Sequence, residues 1–314
     1  MPLKRGVFMK YDWSKVPSVP AVLRILKKRI EFQDNRISEV FFETLEDFLY
    51  YGTLLGYIKN TNFKRILSRL LNIKKVGYIM FAMKDKKSLS LSDRTGIFLS
   101  SDLSSSEFEY VMLKEIITTV SSISDKTNRN IATDYLLRKG VYGEERALED
   151  LYLEKGFSLL EDGIVYDILE NIYYASNHEK RPIKTSRKEK MVFGNKTEFL
   201  SNYKYHPSFQ ELTIMIGRRI LSNSEKLSDD EVLKVLGCEA LEDNFSSKLF
   251  SRLNGIYGNK AYDIIGKLGI IYKKETDVYN QNIIKDKSLR IIDVKRAYRK
   301  LLCYQEERIS SKAC

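Results

Sequence analysis

Between Lys74 and Leu103 the hydrophobic period of this chain changes from that of a helix to that of a strand, and it changes back near Ser104. A repeat of 3.6 residues and a repeat of two cannot share one element, so the switch confines the chain to architectures that combine helices with a small sheet. Before the switch, "VPAVLRILKKRIEF" puts Val22, Ile25, Leu26 and Ile30 on one face of a surface helix. The run "SEVFFETLEDFLYYGTLLGYIK" is apolar on more than one side, which predicts a central helix with Ser38 as its N-cap. A third helix follows from Asn62. Within the switch, "KKVGYIMFAM", "KSLSLS" and "TGIFLSSDL" carry β-branched and aromatic residues separated by turn-forming breaks. They predict two or three strands of a small antiparallel sheet. Next comes "SSSEFEYVMLKEIITTVSS", a strand-to-helix step with Ser104 to Ser106 available as caps.

The later chain is helical over Asn130 to Tyr142 and over Glu144 to Ser176. His178 to Lys196 carries seven basic residues against two acidic, with Pro and Gly, and reads as a solvated loop and boundary. Beyond it, Pro207 opens one helix, Ser228 with two acids opens another that Gly237 ends, and "SLRIIDVKRAYRKLLCYQEERI" forms a basic terminal helix. The expected class is α+β and mostly helical, with a small antiparallel sheet beside a helical core. Its regions are 1–177, a basic loop at 178–196, and a helical part at 197–314 that is either separate or continuous with the first.

With 314 residues, 43% of them hydrophobic, the chain can bury a substantial core and is not a disordered protein. Cys238, Cys303 and Cys314 are few and far apart, which argues against a zinc ribbon or a disulfide framework. The first seventeen residues have no apolar run of signal-peptide length and no stretch of 18 apolar residues occurs, so a cytoplasmic protein without a membrane span is expected. The net charge of +11 favours anionic partners.

No G-x-S-x-G elbow, phosphate loop or dinucleotide fingerprint is present, which leaves one chemically suggestive stretch. A catalytic zinc helix reads H-E-x-x-H, two imidazoles one turn apart on one face, with the Glu as general base toward metal-bound water. The corresponding residues here are Lys114-Glu115-Ile116-Ile117-Thr118. The base position is kept and both ligand positions are replaced. With the strand "GIFLSSDL" ahead of it and Leu160-Glu161-Asp162-Gly163 downstream, this order resembles a group of bacterial zincin-like proteins, of which the chain would be a His-less relative. In that resemblance Asp162 takes the place of the acidic third ligand.

The resemblance implies a catalytically inactive, zincin-like pseudoenzyme that persists as a binding or scaffolding module for a protein partner. No metal or other cofactor is expected, and a surviving site would centre on Lys114, Glu115, Thr118 and Asp162. Lys114 either takes over the charge of the missing metal by pairing with Glu115 or Asp162, or lies with Glu115 at the solvent edge of an amphipathic helix. The only histidines, His178 and His206, stand without a second His at ligand spacing. An alternative function is that of a basic nucleic-acid-associated protein, acting through Arg187 and Lys188 in the loop and Lys295, Arg296, Arg299 and Lys300 in the terminal helix. A metal-dependent hydrolase with an atypical site is the second alternative.

Overall fold

A computed structural model describes residues 11–79, 90–92, 95–101, 103, 105–121, 153, 156, 160, 163–176, 206–242, 245–258, 261, 262, 265, 266 and 269. The chain divides into two compact units. The first comprises Met1–Val120 and Asn171–Glu179, and the second Ser121–Glu170 and Lys180–Cys314. Among the described residues the protein is mostly helical with one small sheet.

In the first unit, α1 (Val19–Lys27) buries Val19, Val22, Leu23 and Leu26. Val22, Leu26 and Ile30 are buried as expected, but Ile25 stays 45% exposed and Leu23 takes its place on the buried face. The chain leaves the helix after Lys27 and enters strand β1 (Glu31–Phe32), too short to register in a sequence period. Helix α2 (Asn35–Leu54) is capped by Asp34 rather than by Ser38, the Asp34 carboxylate accepting the Ile37 N–H at 2.8 Å. Its end turns at Gly56, whose φ of 80° suits glycine, and the Tyr57 and Ile58 N–H groups both donate to the Gly52 carbonyl at 2.9 Å. Helix α3 (Asn60–Leu70) is closed at its start by Asn62 of its first turn, which accepts the Lys59 N–H and donates to the Tyr57 carbonyl.

The sheet contains β1, β2 (Lys75–Tyr78), β3 (Ser90–Ser92) and β4 (Gly96–Leu99) in the order β1-β2-β4-β3. It is not the antiparallel sheet expected from the sequence: β1, β2 and β4 run parallel, and only the edge strand β3 is antiparallel, to β4. Between β1 and β2 the chain crosses over through α2 and α3, and a helical crossover returns a strand in its original direction. Alternation of side chains marks a strand but carries no information on its direction. Where β1 ends, Gln33 prolongs the ladder: its N–H donates to the Val76 carbonyl and its side-chain carbonyl accepts the Tyr78 N–H at 2.8 Å. A Cβ at Gly77 would stand 2.7 Å from that Gln33 oxygen, so only glycine leaves room for the contact.

Helix α4 (Ser105–Val120) packs against α2, α3, β3 and β4. Helical residues 163–176, here α5, contribute 171–176 to the first unit. There the Asn171 side chain donates to the Tyr57 hydroxyl at 2.8 Å, Tyr173 meets Tyr110 edge-on, and Ile172 borders Gly52.

In the second unit, α6 (His206–Ile220), α7 (Asp229–Ala240) and α8 (Phe245–Tyr257) pack against one another. Ser228 caps α7 as expected, through a reciprocal bond pair with Glu231, but the helix runs through Gly237 to Ala240. Arg218 of α6 ties down the connection by donating to the Ser224 and Leu227 carbonyls and to Asp229. Arg252 of α8 makes a two-pronged bond to Glu239 of α7 at 2.7 and 2.8 Å. Among the described residues no helix is long and apolar enough to cross a membrane.

Candidate functional site

Helix α4 is apolar around most of its circumference. Tyr110, Val111, Met112, Leu113, Ile116, Ile117 and Val120 are all buried, as befits a helix that a sheet and two other helices enclose. Into this setting the sequence places Glu115, only 4% exposed. A buried carboxylate needs a compensating charge, and the Lys114 ammonium nitrogen lies 3.3 Å from Glu115 Oε1. The Lys114 side chain is 21% exposed, its stem running along the helix toward the surface. The pair therefore exists, and Glu115 does not lie at a solvent edge.

The two threonines that follow are turned inward on the backbone. Thr118 Oγ1 donates to the Lys114 carbonyl at 2.9 Å and Thr119 Oγ1 donates to the Glu115 carbonyl at 2.7 Å. Such bonding is a common resting state of a helical threonine. It has a chemical consequence here, because the residues do not fit zinc. An ammonium group has no lone pair to give, the Thr118 hydroxyl is engaged with its own helix, and among the described residues of these three positions Glu115 alone falls short of the three ligands a catalytic zinc requires.

Of the other residues singled out in the sequence, Asp162, Arg187, Lys188, Lys295, Arg296, Arg299 and Lys300 lie outside the described residues, as do His178, Cys303 and Cys314. His206 opens α6, immediately before Pro207. Cys238 is buried. Among the described residues no group of three or more His, Cys, Asp or Glu side chains is arranged to hold a metal ion.

Two carboxylates escape a reading of the sequence. Asp167 and Glu170, one turn apart on α5, are 1% and 3% exposed. Within the second unit, the Gln210 side chain of α6 donates to Glu170 Oε2 at 3.3 Å. Thr213, on the same face of α6 one turn after Gln210, is buried as well. Its hydroxyl has no hydrogen-bond partner among the described residues, whereas Thr44, Thr53, Thr118 and Thr119 all donate to the carbonyl four residues back. A signal for this cluster exists in the sequence: "GIVYDILENIYYAS" has apolar residues on every face, so carboxylates within it have no polar side to occupy.

On α2, Glu43 is exposed, while Asp47 accepts the Tyr11 hydroxyl at 2.8 Å and so anchors the segment before α1. Tyr11, Trp13, Tyr50 and Tyr51 stack around that bond with ring centroids 4.8 to 6.4 Å apart, in direct contact.

No protein-family model, no curated protein and no solved structure matches this chain.

Proposed function

We propose that the chain is a non-catalytic binding or scaffolding module in which a zincin-like helix has exchanged the charge of a metal ion for that of Lys114. The reading is supported by one observation above all, the 3.3 Å pair between the Lys114 ammonium and the buried Glu115 carboxylate. In a metal helix of this type the glutamate would face bound water. Here it faces the Lys114 ammonium, whose charge offsets its own and would repel a divalent ion placed beside it. The Thr118 hydroxyl, turned to the Lys114 carbonyl, adds no ligand. What remains is a rigid helical framework, suited to presenting surfaces rather than to activating water.

Metal content tests the reading. Tag-free protein grown and dialysed with zinc should carry well below one zinc per chain by plasma mass spectrometry. Lys114→Met should lower stability by about 1–3 kcal/mol in chemical denaturation, because it leaves a buried carboxylate without its cation. Stoichiometric zinc that disappears in Glu115→Gln would overturn the proposal.

A further inference from the structure

Pairing of β1 with β2 brings together cations that are far apart in the chain. Arg24, Lys27, Lys28 and Arg29 end α1 and lead into β1, while Lys74 and Lys75 lead into β2. The Glu31 N–H donates to the Lys74 carbonyl at 2.8 Å, which fixes the two stretches side by side, about 5 Å apart. All six cations are exposed. Among the described residues of these two stretches one acid stands, Glu31, at 3.7 Å from Lys75, and both of those side chains are mostly in water, so the pair offsets little. Lys28, Arg29 and Lys74 have no ion-pair partner among the described residues.

We infer that this edge of the first unit is a docking surface for the phosphate backbone of a nucleic-acid duplex, bound without regard to sequence. Lys27 lies over the Phe42 ring and Arg24 donates to the Pro20 carbonyl, while Lys28, Arg29 and Lys74 are exposed cations on flexible stems, which suits a row of phosphates rather than one enclosed phosphate. A membrane surface fits less well. Helices that bind lipid insert an apolar face, and the apolar face of α1 is committed to the core through Val19, Val22, Leu23 and Leu26. A protein partner would call for apolar anchors at the centre of the patch, and Ile25 is the one large apolar side chain exposed on α1. The site uses none of the α4 residues, so it stands or falls separately from the state of Glu115.

The test is the fluorescence anisotropy of a labelled 20-base-pair DNA duplex of random sequence, titrated with the full chain over a series of salt concentrations. Charge reversal at Lys28→Glu, Arg29→Glu and Lys74→Glu together should weaken binding at least tenfold and flatten the salt dependence by about 2–3 in log–log slope, near 0.9 for each phosphate no longer neutralised. The changes are at exposed positions, and an unaltered thermal transition verifies the fold. Reversal of Lys226 and Lys234, exposed cations of the second unit, should leave the affinity unchanged. The inference is overturned if the native chain does not bind the duplex or if the triple variant binds like the native chain. Equal weakening by the control variant overturns it too, as does tighter binding to phosphatidylserine vesicles than to the duplex.

Discussion

Tyr11 shows how one buried hydroxyl links stability to pH. Burial and, after it, the neighbouring Asp47 carboxylate push its ionisation far above the ordinary value of 10.0, because the phenolate would lack water and face a like charge. With the folded-state value raised, the contribution is complete below pH 10 and is lost as pH rises beyond it, since the unfolded tyrosine then gives up its proton and the folded one does not. Unfolding by denaturant at pH 9 to 11 should therefore show falling stability, and Tyr11→Phe should make that fall shallower. An equally steep fall in the variant would place its origin in other tyrosines. At this scale the sequence is partly readable. Glu115 and Lys114 stand out because their charges interrupt an apolar helix. Whether such a charge is buried depends on what covers that face, and coverage by α2, α3 and the sheet comes from segments distant in the chain. Asp167 and Glu170 stay hidden for the same reason, since a carboxylate in a helix is ordinarily a surface residue.

Elements are legible where the signal is local. Helix α7 begins at Ser228 because the serine and Glu231 satisfy each other's N–H groups, a pattern written in four consecutive residues. Strand β1 is not legible, since two residues cannot establish an alternation, and the parallel pairing of β2 with β4 is not legible either, because it follows from a strand order that puts β3 outside β4, which side-chain alternation does not encode. Gly237 does not end α7; it lies buried within the helix, where packing against neighbours outweighs the glycine's weak preference for a terminus. Gly156 is buried too, and its surroundings are tighter. A Cβ there would stand 2.1 Å from the Ile265 carbonyl oxygen, a backbone atom that cannot turn aside as a side chain would. Gly156→Ala should destabilise the second unit by about 2 kcal/mol or more through forced separation of the two segments, read as a lowered denaturation midpoint. A variant of unchanged stability would show that the segments separate freely.

At the level of the whole molecule, the first unit is built from two separated stretches of chain. Asn171, Ile172 and Tyr173 complete it by meeting Tyr57, the neighbourhood of Gly52, and Tyr110. A fragment ending at Val120 should thus be markedly less stable than the intact chain and bind a hydrophobic dye, and supplying 163–179 as a peptide should reverse part of the effect. A fragment as stable as the full protein, without dye binding, would contradict this. During synthesis the same arrangement imposes an order of events. At roughly 5–20 residues per second, about 3–11 s pass between translation of Val120 and of Ser176. Throughout that interval the nascent α4 has its neighbours upstream but lacks the last piece of its surroundings. The nascent chain therefore emerges from the ribosome with an apolar helix only partly covered, and the surface that 171–176 later closes is the one exposed to aggregation in the meantime.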